Sequence, residues 1–175
     1  MKKLDGLSSI VFGLGVSPIP ILLIVLREQK ELKILEGRLV NHDIIYEVAG
    51  KVIEILNSRL NTVIIFSIIG LSLFAILSVL NFYFPLSQSI TNIISLYFLG
   101  PIIFAILRLL IFYKRDSKYL SALNALEKSK NIKSFFEKLK LEKDKISALE
   151  KIVNLAKDSK GRERDNFLKM IIYEL

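Results

Sequence analysis

Two apolar segments of 24 residues each decide the fold of this chain: residues 61–84 (NTVIIFSIIGLSLFAILSVLNFYF) and residues 90–113 (ITNIISLYFLGPIIFAILRLLIFY). As an α-helix, each segment is about 36 Å long, which exceeds the roughly 30 Å hydrocarbon core of a bilayer. The link between them, residues 85–89 (PLSQS), is short and uncharged. The two segments therefore predict a transmembrane helical hairpin over residues 61–113.

The hairpin contains a single formally charged residue, Arg108, which lies near the end of the second segment. A long side chain at that position can reach the headgroup layer. Asp, Glu and His are absent from both segments. An intramembrane protease, a proton relay or an ion-coupled transporter would need such groups, so the sequence argues against these classes.

A further apolar run, from Leu7 to Leu26, precedes the hairpin and follows Lys2 and Lys3. No small-residue cleavage pattern follows this run, so we expect it to be retained. The prolines at 18 and 20 disfavour an unbroken helix, whereas Ser17 as N-cap and Pro18 at the first position suit a new helix. Residues 1–26 are predicted to form an N-terminal membrane element, either a spanning helix with a proline break or a re-entrant segment.

Residues 27–60 carry apolar or aromatic side chains that alternate three and four positions apart, with charges of both signs between them. This heptad spacing predicts a cytoplasmic coiled-coil or bundle helix, and a break near residue 41 is the alternative because Asn41 or Asp43 can cap a new helix. We call these heptad positions the seam: Leu32, Leu35, Leu39, His42, Tyr46, Ala49, Ile53, Leu56 and Leu60. His42 is interpreted as a polar register residue, since the chain has no second histidine and no cysteine to complete a metal site.

Residues 114–175 form a basic tail with sixteen Lys and Arg against ten Asp and Glu, so most of the net charge of +8 lies behind the hairpin. Its apolar residues are typical of two or three amphipathic helices, with one face carrying Leu139, Ile146, Leu149, Ile152, Val153 and Ala156 and another carrying Phe167, Ile171 and Leu175. A tail of this size is marginal for a core of its own. We expect it to dock on the seam helix or on another subunit.

The basic residues near the hairpin predict its orientation. Lys51 and Arg59 precede the first segment, and Arg108, Lys114, Arg115 and Lys118 end or follow the second. The positive-inside rule then places both ends of the hairpin in the cytoplasm. We expect these last four residues to contact anionic lipid headgroups. Nucleic acid is not a favoured partner, because acidic residues are mixed with the lysines between 128 and 140.

The sequence shows no glycine-rich phosphate loop, nucleophile elbow or zinc-protease motif. We therefore predict an all-α polytopic protein of the cell membrane, without cofactor or metal, that is not an enzyme. The leading function is that of a scaffold subunit of a membrane complex, acting through cytoplasmic helix contacts with further copies or other subunits. The alternative is an oligomeric pore or a small transport component.

Overall fold

The computed structural model describes residues 18–39, 44–83 and 88–175, except the side chains of Ser78, Asn81, Phe82 and residues 88–98. Every regular element in these ranges is helical, which confirms the all-α class. The predictions for residues 1–17, for His42 and for residues 85–87 of the link lie outside the described residues.

The described ranges hold seven α-helices and one π-helix: α1 (Pro18–Arg38), α2 (Ile44–Tyr83), α3 (Gln88–Ile111), the π-helix (Phe112–Asp116), α4 (Ser117–Ser129), α5 (Ile132–Lys138), α6 (Lys143–Asp158) and α7 (Arg162–Glu174). Helix α1 ends at Arg38 and α2 begins at Ile44, and the alternative of a break near residue 41 lies outside the described residues. Helix α2 has 40 residues, about 60 Å at 1.5 Å per residue. The later part of the seam and the first apolar segment are therefore parts of one continuous helix.

Local chemistry accounts for several helix ends. Pro18 is the first described residue of α1, a position where its missing N–H costs no hydrogen bond. Asn131 caps α5 by accepting a hydrogen bond from the backbone N–H of Lys133 at 2.9 Å. Gly161 separates α6 from α7 with φ +58° and ψ −132°, a conformation that a side chain would strain.

The chain divides into two compact units, which we call the hairpin unit and the tail unit. The hairpin unit contains residues 1–28 and 59–112, and the tail unit contains residues 29–58 and 113–175. These boundaries lie within two residues of the segment boundaries predicted from the sequence. The change in composition along the chain thus coincides with the change from one unit to the other.

In the hairpin unit, α2 and α3 approach closely where α2 carries Gly70. A methyl group added at Gly70 would lie 2.5 Å from Cγ1 of Ile102, so only glycine fits there without movement. One turn earlier on α2, the ring of Phe66 lies 4.3 Å from that of Phe104, measured between centroids. Small residues at such crossings allow helix backbones to pack tightly in an apolar environment.

In the tail unit, several helices contribute buried apolar side chains. Buried side chains of α1 and α2, such as Leu32 and Ile53, belong to the same compact unit as Phe135 and Phe136 of α5 and Leu149 of α6. Helix α4 packs on α5, α5 on α6, and α6 on α7. Two long-range ion pairs join helices of this unit: Arg38 of α1 with Glu127 of α4 at 3.2 Å, and Arg164 of α7 with Glu47 of α2.

Candidate functional site

The hairpin unit exposes a large apolar surface, which we call the apolar belt. The belt comprises side chains that are 40% to 60% exposed: Ile65, Ile68, Ile69, Ile76, Val79 and Leu80 of α2, and Ile103, Leu107, Leu110 and Ile111 of α3. Scattered exposed apolar residues are ordinary on soluble proteins, but a continuous series along two packed helices is not. A surface of this kind requires lipid or protein around it.

Within the described residues, one helix is long and apolar enough to cross a membrane: α2, over Ile44–Leu77. Only 28% of its most apolar stretch is buried inside the protein. The core helix of a soluble protein can pass the same test of length and composition, but such a helix is mostly buried. Helix α2 is therefore a candidate membrane-spanning helix. A second crossing, by α3, is a proposal.

The seam side chains that the structure describes, which do not include His42, face inward. Leu32, Leu35, Leu39, Ala49, Ile53 and Leu56 are buried in the tail unit, and Tyr46 is half-buried there. Leu60 is buried in the hairpin unit. Since the chain itself covers these residues, the placement favours docking of the tail on the seam over self-association through the seam.

The four basic residues predicted to contact lipid are all exposed. Arg108 lies in the last turn of α3, in the hairpin unit, with its guanidinium 5.2 Å from the ring centroid of Phe104. Lys114 and Arg115 belong to the π-helix, and Lys118 to the first turn of α4, in the tail unit. The ammonium group of Lys118 lies 4.9 Å from the ring centroid of Tyr119. In both pairs the cation itself lies over the neighbouring ring, within the distance of a cation–π contact.

An apolar groove of about 620 Å³ lies between α6 and α7, and we call it the α6–α7 groove. Its apolar lining comes from Ala148, Leu149 and Ile152 of α6 and from Met170 and Tyr173 of α7. Lys145, Lys169 and Glu174 supply charge at its rim, with Lys145 and Glu174 joined by an ion pair of 2.9 Å. Met170 is 50% exposed and Tyr173 is 89% exposed, so both side chains project from the surface.

The groove is not predicted from the sequence. The sequence pattern places Phe167, Ile171 and Leu175 on one helical face, and Ile171 is the one of these that is fully buried. The sequence does contain one indication of an exposed apolar surface: residues 167–173 (FLKMIIY) have more apolar side chains than one helix face can bury. The excess, Met170 and Tyr173, forms one wall of the groove.

Among the described residues, no group of three or more His, Cys, Asp or Glu is placed to hold a metal ion. Compared with protein-family models, with curated proteins and with solved structures, the chain has no significant match. The features that bear on function are therefore the chain's own surfaces: the apolar belt, the exposed basic residues and the α6–α7 groove.

Proposed function

We propose that this chain is an integral membrane protein whose hairpin, α2 from residue 61 and α3, spans the bilayer twice and anchors a cytoplasmic helical scaffold, the tail unit. The apolar belt is the observation that carries this proposal. Isoleucine, leucine and valine side chains that are half-exposed on both helices gain about 25 cal/mol for each Å² that lipid removes from water. The close contact of Gly70 with Ile102 gives the two helices the packing of a membrane pair.

The charges at the ends of the hairpin support a cytoplasmic tail unit. Lys51 and Arg59 stand before the first segment, and Lys114, Arg115 and Lys118 stand after the second. The link has no charge. Positive residues flanking a hairpin on one side are retained in the cytoplasm, so the link is assigned to the opposite side.

The scaffold role rests on the composition of the tail unit. Its core is filled by its own apolar residues, and its surface presents mixed charge together with the exposed α6–α7 groove. Such a surface suits contact with other protein subunits. A hydrated pore, the alternative, needs polar side chains along its lining, whereas the described exposed side chains of the hairpin are mainly apolar.

Site-specific labelling tests the orientation. The chain contains no cysteine, so Ser87→Cys and Ser129→Cys each introduce a single thiol. We expect an impermeant maleimide to label Ser87→Cys in intact cells and to label Ser129→Cys only after the membrane is opened. The reverse pattern would exclude the proposed topology. The protein should also resist extraction by alkaline carbonate.

Reconstitution distinguishes the two functions. Purified protein in liposomes should leave ion permeability unchanged if it is a scaffold. Conductance above that of empty liposomes, lost in a variant that disrupts the hairpin, would favour the pore. Labelling and conductance are independent measurements, so the topology can hold while the scaffold role fails.

A further inference from the structure

The α6–α7 groove is an exposed apolar feature of the tail unit that its own helices leave open. Its walls combine a projecting ridge, Met170 and Tyr173, with a recess over Ala148 and Ile152. Its rim carries both signs of charge, from Lys169 and from Glu174. One surface thus presents a ridge with a recess and a cation with an anion, which is the requirement for a patch that is complementary to itself.

We propose that a second copy of this chain occupies the α6–α7 groove, with the two α7 helices antiparallel. Their two-fold axis lies on the exposed face of Met170 and Tyr173, at the level midway between residues 171 and 172 along the helix. Resting on the proposed membrane anchoring, this inference names the partner of the scaffold surface. It assigns the groove a role in forming a dimer.

The spacing of residues along α7 supports this pairing. In an antiparallel pair centred at the level midway between residues 171 and 172, position 170 of one copy faces position 173 of the other. Position 169 faces position 174 in the same way. The pairing therefore places Met170 against Tyr173, a favourable contact of sulfur with an aromatic ring. It also places Lys169 against Glu174, twice in each dimer.

Glu174 can accept this second partner. Its side chain is 46% exposed, and its ion pair with Lys145 uses one carboxylate oxygen at 2.9 Å. A carboxylate offers about four lone-pair sites, so one lysine does not saturate it. Lys169 is exposed at the rim of the same groove.

Other occupants fit the groove less well. A bilayer surface is flat and anionic, whereas the groove is concave and its rim includes a carboxylate. A small molecule is usually enclosed over most of its surface, but this groove is open along one side. The patch is smaller than the roughly 800 Å² per partner of a stable soluble interface. Confinement of both copies to one membrane raises their effective concentration and lowers the area that is needed.

A charge-exchange experiment on the full chain in detergent or bicelles tests the dimer. The substitution Lys169→Glu would set two carboxylates against each other at each contact, and Glu174→Lys would set two ammonium groups against each other. We expect either variant alone to dissociate at least roughly tenfold more readily than the wild-type protein. In an equal mixture of the two variants, a heterodimer places a carboxylate against an ammonium group at both contacts. Energy transfer between differently labelled variants should therefore exceed that within either variant alone.

Matched controls separate this effect from general charge. Lys151→Glu and Glu163→Lys change the same charges on α6 and α7 at exposed positions outside the groove lining, and should dimerise as the wild type does. Circular dichroism reports whether each variant keeps its helices. A wild-type protein that is monomeric at high protein-to-lipid ratio, or single variants that dimerise normally, would overturn the proposal. Carbonate extraction of the same samples reports membrane anchoring separately, so this outcome leaves the proposed topology standing.

Discussion

Ser67 and Gly70 lie three residues apart on the buried side of α2, and both are small where the hairpin helices meet. Ser67 is fully buried, and its hydroxyl has no hydrogen-bond partner among the described residues. Gly70 lies against Ile102 of α3. In lipid, where burial of apolar groups gives helices little reason to associate, close packing of this kind supplies much of the attraction. For the packing of α2 against α3, the small size of these two residues therefore matters more than their polarity.

Gly70→Ala tests the close approach directly. The new methyl group would lie 2.5 Å from Cγ1 of Ile102, so the helices must separate or Ile102 must move. Overpacking of this kind costs about 1 to 3 kcal/mol. We expect a lower unfolding midpoint in detergent, followed by circular dichroism.

Gly100→Ala is the matched control for Gly70→Ala. Gly100 lies within α3, and a methyl group there meets nothing within 4 Å. That variant should be neutral, or more stable because alanine favours helix by about 1 kcal/mol over glycine. A Gly70→Ala protein as stable as Gly100→Ala would show that the hairpin does not need glycine at position 70.

Ser67→Ala should be tolerated. The substitution removes a buried hydroxyl without a described partner and keeps the side chain small. An unsatisfied buried polar group costs about 1 to 3 kcal/mol, so we expect an unchanged or higher unfolding midpoint. A clear loss of stability would mean that the hydroxyl has a partner in the membrane-embedded protein.

At the scale of whole elements, α1 and α2 are each divided between the hairpin unit and the tail unit. The seam explains why one part of each helix belongs to the tail unit. Its heptad pattern continues in α2 up to residue 60, where the apolar segment begins in the same helix. The hydrophobic pattern therefore marks a change along the helix from a buried seam to the exposed apolar belt. It does not mark a helix end.

Ile53→Lys tests whether the seam is an internal core. The side chain of Ile53 is 1% exposed, so a lysine there would place a charge against apolar neighbours and cost several kcal/mol. We expect loss of the folded tail unit, seen as proteolysis within residues 113–175 of the detergent-solubilised protein. Ile55→Lys, two residues further along α2 at a position 38% exposed, is the control and should resist the protease. Equal resistance of the two variants would place the seam on the surface.

How far the sequence predicts the elements depends on whether a local pattern or a tertiary contact decides them. The two apolar segments and the amphipathic tail can be predicted from the sequence because composition changes sharply along the chain. The start of α7 at Arg162, directly after Gly161, is a local feature, because the conformation of Gly161 suits glycine. The α6–α7 groove could not be predicted, because which side of α7 is covered depends on how α6 packs against it.

At the scale of the whole molecule, charge is distributed to suit an anchored protein. Residues 113–175 carry sixteen basic and ten acidic side chains. Lys114, Arg115 and Lys118 stand where the second apolar segment ends, and all three are exposed. Only charges within roughly 8 to 10 Å of an anionic surface are attracted strongly at physiological salt. These three residues should therefore bind lipid headgroups more strongly than the remaining basic residues of the tail.

Lipid composition tests this distribution on the full chain in nanodiscs. Each basic residue near an anionic leaflet contributes about 1 kcal/mol, so anionic lipid should raise the unfolding midpoint of the wild-type protein above its value in zwitterionic lipid. Changing Lys114, Arg115 and Lys118 to Gln should remove most of that increase, and added salt should reduce it in the wild type. Changing Lys128, Lys130 and Lys133 to Gln removes the same charge from exposed positions further along the chain, and should leave most of the increase intact. Equal losses in the two triple variants would mean that the lipid senses the net charge of the tail, and that the residues next to the apolar segment have no special role.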